Sequence, residues 1–300
     1  RVRGIDELGN EGSYSSTRGF NSDTIVNTVA LSTPVDGHET DVIDFLVVWT
    51  GNVDSVGIDS YTLDVSAYTG FETLTFTSTV DGAVVSETFT ATVNDTYYWR
   101  VRGVDHLNNI GPWSDTRGFV LDTDVDAVVL IHPANRHETN VDGNTADSAG
   151  FDVAISWATL ADSVGVDSYQ LEVQKDIGFT SVQEFGDTFD RLTESDTVTG
   201  LYNDTYYWRV RAIDDLANVG PYSDTRGFLV DTNVFQVTLV LPADAHSTNN
   251  VNPIVKWSAL TGDSVGLDSY QLEVNTNLHF TNTQTFGDTI DAAFTSDTLS

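Results

Sequence analysis

The chain has 300 residues and contains no cysteine, no methionine and only two lysines, Lys175 and Lys256. Without cysteine there can be no disulfide, no thiol nucleophile and no zinc–thiolate site. No run of about 18 apolar residues occurs, so no transmembrane helix and no direct membrane insertion are expected. Neither a signal peptide nor a basic targeting segment is present, so the sequence is expected to start inside something larger or to be processed. Basic residues are scarce: 13 Lys and Arg stand against 45 Asp and Glu, for a net charge of −32. Such a surface repels nucleic acid and anionic membranes and attracts cations. It reads as the solvated acidic exterior of an extracellular or halophilic protein.

Signatures of catalysis are missing as well. The histidines His38, His106, His132, His137, His246 and His279 fall in no metal-binding pattern. No serine lies in a GxSxG elbow, and no glycine loop could cradle a phosphate. No enzyme activity is expected.

What is present is repetition. Trp49, Trp157 and Trp257 each close an apolar run ("FLVVW", "VAISW", "PIVKW") and lie 108 and 100 residues apart. After each comes a nearly fixed block: "SVGIDSYTLDV" from Ser55, "SVGVDSYQLEV" from Ser163 and "SVGLDSYQLEV" from Ser264. "TYYWRVRGVD" at Thr96 and "TYYWRVRAID" at Thr205 follow, then "SDTRGFVLDT" and "SDTRGFLVDT"; the chain itself opens on "RVRGID". A period of this size marks a tandem array. The middle repeat carries an insertion, "HETNVDGNTADSAG" (His137–Gly150), whose Asp, Asn and Gly predict a surface loop.

Within a repeat the apolar residues alternate with period two. Tyr206, Trp208 and Val210 take one face, and Tyr207, Arg209 and Arg211 take the other. Seven short runs rich in Val, Thr, Tyr and Trp can be placed in the middle copy, around 128–132, 153–157, 169–174, 182–185, 196–199, 206–214 and 226–230. Seven short strands in about 100 residues predict an all-β chain of sandwich domains.

The order of a Trp-ended second strand, "SYxLEV", "TYYWRVRAID" and "NVGPYSDTRGFLVDT" resembles the fibronectin type III and immunoglobulin-like repeats of large bacterial and archaeal surface proteins. The resemblance covers the whole chain. It implies tandem seven-strand sandwiches in an extended array, with Tyr97 and Tyr206 as buried corner tyrosines. The domain organisation then reads as 1–24, the last two strands of a preceding or neighbouring-subunit domain; 25–123 and 124–232, two complete sandwiches; and 233–300, the first five strands of another. Linkers are very short, as in "DTDVD" (Asp122–Asp126), which favours a stiff string over free beads.

Nine of the eleven arginines recur at fixed repeat positions. Those of "RVR" should pair across strands with Asp64, Glu172 and Glu273 rather than bind an external polyanion. The repeated tryptophans should be core, leaving Tyr98, Tyr207, Trp113 and Tyr222 as the aromatics open to ligands such as surface glycans. Repeated Asp and Asn near the linkers could supply the hard oxygens that calcium needs, although the same residues also make turns. The candidates are Asp105, Asn109, Asp122, Asp124 and Asp126 at one junction, and Asp214, Asn218 and Asp231 at the next. Calcium is the one cofactor considered. "NDT" at Asn94 and Asn203 offers two glycosylation sites on the same turn.

These features predict a structural segment of a long extracellular or cell-surface repeat protein: a stalk, fibre or filament for adhesion or display. Its partners would be further copies head to tail or the continuation of its own chain. A sharper version has 1–24 of one copy completing 233–300 of the next by strand complementation. The alternative is a set of spacer or carbohydrate-binding modules beside a secreted polysaccharide-acting enzyme.

Overall fold

The computed structural model describes residues 1–139, 151–263, 266–281 and 286–299. Most of the predicted surface insertion, 140–150, lies outside the described residues. Every regular element among the described residues is a β-strand. The chain divides into two compact units. The first comprises Arg1–Val125 with Ala161–Val166 and Asp214–Val219; the second comprises Asp126–Leu160, Asp167–Ile213 and Gly220–Ser300.

The strands of the first unit are β1 (Ala30–Thr33), β2 (His38–Thr40), β3 (Asp44–Thr50), β4 (Ile58–Ser66), β5 (Phe76–Asp81), β6 (Ser86–Thr90), β7 (Asp95–Asp105) and β8 (Arg117–Leu121). A three-stranded sheet, β1-β3-β6, faces a five-stranded one, β2-β8-β7-β4-β5. The two-residue period of β7 decides which side chains enter the core: Tyr97, Trp99, Val101 and Asp105 are buried and alternate with part-exposed Tyr98, Arg100 and Arg102. Trp99, Trp49, Tyr61 and Leu63 fill the space between the sheets, and Phe45 stacks on Phe119 with ring centroids 3.7 Å apart. Truncating a buried tryptophan of this kind costs about 3–5 kcal/mol.

Residues 1–24 contain no regular strand. They form one hairpin-like turn, with an isolated bridge between Ile5 and Glu11 and backbone bonds from Gly12 N to Gly4 O (2.9 Å) and Ser15 N to Val2 O (2.8 Å).

The second unit holds β9 (Leu130–His132), β10 (His137–Thr139), β11 (Phe151–Trp157), β12 (Val166–Gln174), β13 (Phe185–Asp190), β14 (Ser195–Leu201), β15 (Asp204–Asp214) and β16 (Arg226–Val230), the first residue of β12 and the last of β15 belonging to the other unit. Its sheets, β14-β11-β9 and β10-β16-β15-β12-β13, repeat the order of the first unit strand for strand. It also holds β17 (Leu239–Leu241), β18 (Ile254–Trp257), β19 (Ser269–Val274), β20 (Phe286–Asp291) and β21 (Ser296–Thr298), arranged as β17-β18-β21 and β19-β20.

Two expectations of element placement are corrected. The His-Glu-Thr that opens the supposed insertion is not loop but an eighth short strand, β10, parallel to β16; the same tripeptide forms β2 parallel to β8. Three residues are too few to show alternation, and the free edge of the last strand supplies the pairing. The fourth run expected at 182–185 instead begins at Phe185 and continues to Asp190. This register sets Phe189 opposite Tyr169 and within 5.6 Å of Trp157, while Val182 is left exposed.

Candidate functional site

Two groups of three carboxylates converge in the first unit. In each, one oxygen per residue lies within 4.8 Å of the others: Asp23, Asp54 and Asp105 in one group, Asp122, Asp162 and Asp214 in the other. Asp105, Asp122 and Asp214 are buried.

Each carboxylate is held by the turn it starts. Asp105 ends β7; its Oδ1 accepts from the backbone N–H of Leu107 and of Asn109, both at 2.8 Å, and its Oδ2 accepts from the Asn109 amide at 2.7 Å. Asp214 repeats the arrangement with Leu216 and Asn218. This tight loop needs a left-handed residue, and Asn108 (φ 64°) and Ala217 (φ 68°) take that position. Asp54 accepts from the N–H groups of Val56 and Gly57, and Asp162 from those of Val164 and Gly165. The linker acids come in from the other side. Asp23 accepts from Ser55 Oγ, and its carbonyl accepts from the Asn109 amide at 3.1 Å. Asp122 accepts from Ser163 Oγ, and its carbonyl accepts from the Asn218 amide at 3.2 Å.

Among the described residues, none of these six carboxylates makes an ion pair. The proton affinities of Asp105, Asp23 and Asp162 are shifted, and not all in one direction. Burial pushes the Asp105 carboxyl up, but hydrogen bonds from Asn109 and Leu107 outweigh it and hold Asp105 below the usual carboxylate range. The hydroxyl of Ser55 and the N–H of Ile25 lower Asp23. Asp162 goes the other way: burial raises it, and the charges of Asp122 and Asp214 raise it further against two backbone hydrogen bonds. An all-oxygen set with excess negative charge matches the chemistry of a hard divalent cation.

The expected residues are therefore redistributed. Asp105 and Asp122, assigned to one junction from the sequence, lie in two different triads, because the loop after β7 meets the linker preceding its own repeat. Asn109 and Asn218 present N–H groups to the linker. Asp124 accepts from the Asn94 amide at 2.5 Å, and Asp126 is exposed and belongs to neither triad. Asp231 bonds the N–H of Asn233 and lines a cavity of about 280 Å³ with Asn203 and Gly262. Sequence reasoning missed Asp23, Asp54 and Asp162. Their signal was present: an Asp directly before the repeated "SVG", and the Asp of "DT" three residues after the Phe of "RGF".

The outward arginines are engaged. Arg209 donates twice to Glu172, at 2.9 and 2.7 Å, and lies between the rings of Phe179 (4.0 Å) and Tyr222 (3.8 Å). Arg100 lies between Phe71 and Trp113 in the same way and reaches Asp64 at 3.4 Å. Trp113 and Tyr222 thus carry guanidinium groups on their faces instead of standing open.

The corner tyrosines are in place. Tyr97, in β7, donates to the carbonyl of Val93 at 2.8 Å, and Tyr206, in β15, to that of Tyr202 at 3.0 Å. Each of the two complete repeats is a two-sheet β-sandwich. Two solved structures are similar to the chain. The FN1–FN3 domains of chicken CNTN1 are 17% identical, with 77% of this chain and 74% of that one covered and a TM-score of 0.35. The fibronectin(III)-like modules of Clostridium thermocellum CbhA are 14% identical, with 69% and 99% covered and a TM-score of 0.30. No family model and no curated protein matches the chain. The two "NDT" turns differ. The Asn94 amide nitrogen donates to Asp122 and Asp124, whereas Asn203 is exposed and accepts from Thr232 Oγ1.

Proposed function

We propose that this chain is a structural segment of a long extracellular repeat protein, a stiff stalk, fibre or cell-surface filament serving adhesion or display. The observation that supports this most is the repetition of one linker device. Asp23 and Asp122 are each received by a serine hydroxyl, a loop amide and two further carboxylates, in the same pattern. A linker fixed in this way loses the freedom that would make neighbouring repeats independent. Catalysis has no part in this reading, and neighbouring copies or further repeats are the partners. Small-angle scattering from the purified chain tests it: a rod whose length scales with repeat number is expected, and a profile of freely jointed domains would overturn it.

Calcium belongs to the same reading as the ligand of the triads. Asp23, Asp54 and Asp105 would hold one ion, and Asp122, Asp162 and Asp214 another, with solvent completing the six to eight oxygens. Titration calorimetry should give two binding events per chain together with a rise in melting temperature. Neither heat nor stabilisation would remove calcium from the proposal and leave the structural role standing. Glycan binding has little support, because arginines cover Trp113 and Tyr222. N-glycosylation is better placed at exposed Asn203 than at Asn94, and intact mass after expression in a glycosylating host checks it.

A further inference from the structure

The histidines form no metal-binding pattern along the chain, but the fold brings two of them together. His132 ends β9 and His137 begins β10. Between them the chain makes a tight turn, closed by the His137 N–H on the Ala134 carbonyl at 3.0 Å. Gly227 of β16 pins that turn twice. Its N–H donates to Asn135 Oδ1 at 2.9 Å, and its carbonyl accepts from the Arg136 N–H at 2.7 Å. The two imidazoles meet edge to face, with ring centroids 5.4 Å apart and planes at 62°. Among the described residues neither enters an ion pair. His132 is exposed and His137 half-buried, so solvent reaches the pair.

The other repeats show what is particular to this one. His38, His137 and His246 each stand four residues after a proline, Pro34, Pro133 and Pro242. The residue before that proline differs: Thr33, His132 and Leu241. In the first repeat His38 lies against Phe45, with centroids 5.8 Å apart. In the second, Val153 stands four residues before Trp157, as Phe45 does before Trp49. The aromatic neighbour is gone, and His137 meets His132 instead.

Two imidazoles on one tetrahedral ion, each nitrogen about 2.0–2.1 Å from the metal, set their ring centres roughly 5 Å apart. The spacing of His132 and His137 fits that arrangement. Imidazole suits zinc, copper and nickel, whereas calcium takes oxygen. A net charge of −32 gathers cations of either kind at the surface.

We propose that His132 and His137 form a binding site for a divalent transition-metal ion of the zinc class, with water filling the remaining positions. The site goes beyond the structural reading above and depends neither on it nor on calcium. His132 stands opposite Ser156 in the β14-β11-β9 sheet, and His137 opposite Phe228 at the edge of the β10-β16-β15-β12-β13 sheet. One ion would therefore fasten the first strand of one sheet to the edge strand of the other. Binding that requires both strands in place stabilises the folded repeat.

Zinc titration calorimetry of the 300-residue chain tests this, run in millimolar calcium to occupy the carboxylates and paired with melting curves. One zinc event and a zinc-dependent rise in melting temperature are expected. His132→Thr installs the residue that the first repeat carries at this place, so the fold is kept. It should weaken zinc binding at least tenfold and remove the rise, and His137→Ala should do the same. His246→Ala, at a histidine preceded by Leu241 in place of a second imidazole, should leave both unchanged. A parent chain that takes up no zinc, a His132→Thr chain that binds it as the parent does, or a His246→Ala chain that loses as much overturns the site.

Discussion

Asp162 shares its position with two other carboxylates and with no described lysine or arginine ion pair, and it gains protons more readily than an ordinary aspartate. The sign follows from its raised folded value. Its contribution to stability is complete below the ordinary carboxylate range of about 3.9 and is lost as pH rises through that folded value. Asp105 runs in reverse: its folded value is depressed, so its contribution holds above the ordinary range and disappears on strong acidification. Asp162→Asn keeps an oxygen for the Val164 and Gly165 N–H groups while removing a charge. In chelator at pH 7 it should raise the melting temperature by ~3 °C, and it should abolish any gain from calcium at that triad; differential scanning fluorimetry checks both arms. Tyr206→Phe removes a hydroxyl that both donates to and accepts from the Tyr202 backbone. It should cost about 1–1.5 kcal/mol, read from urea unfolding of the chain. Asp105, Asp122 and Asp214 could be picked out because they end recurrent blocks rich in Asp and Asn. Their grouping could not be read, because which linker a loop meets depends on the direction in which successive sandwiches are threaded. Composition carries no trace of that.

The long strands were legible because they are two-faced. In β7 and β15 alternate residues are aromatic or aliphatic on one side and polar on the other, and burial follows the alternation to the last residue. The short edge strands β2 and β10 were illegible: three residues carry no period, and their pairing comes from the neighbour's unused edge. The outward faces of β7 and β15 carry an inference of their own. Arg209 joins Glu172, Phe179 and Tyr222 through a planar fork and two ring faces, which an ammonium cannot reproduce. Arg209→Lys should therefore lower stability by about 1–2 kcal/mol despite the conserved charge, measured by chemical denaturation alongside Lys175→Arg as a control on an exposed pair with Asp204.

Taken over all 300 residues, the surface charges repel one another. A net charge of −32 spread over sandwich surfaces opposes compaction, and salt shortens the reach of that repulsion to about 10 Å at 0.1 M and 3 Å at 1 M. Raising sodium chloride from 0.05 to about 1 M should raise the melting temperature steadily, as followed by circular dichroism; a flat or falling response would mean that the acidic surface is energetically neutral. Another consequence lies in the cores. Trp49, Trp99, Trp157 and Trp208 are at most 2% exposed, and their indole nitrogens have no hydrogen-bond partner among the described residues. An indole in so dry a setting emits at short wavelength and shifts to the red when water reaches it, and two of them mark each complete repeat. Under a stretching force, each loss of a fold would show as a separate optical step, so the chain carries its own tension gauge.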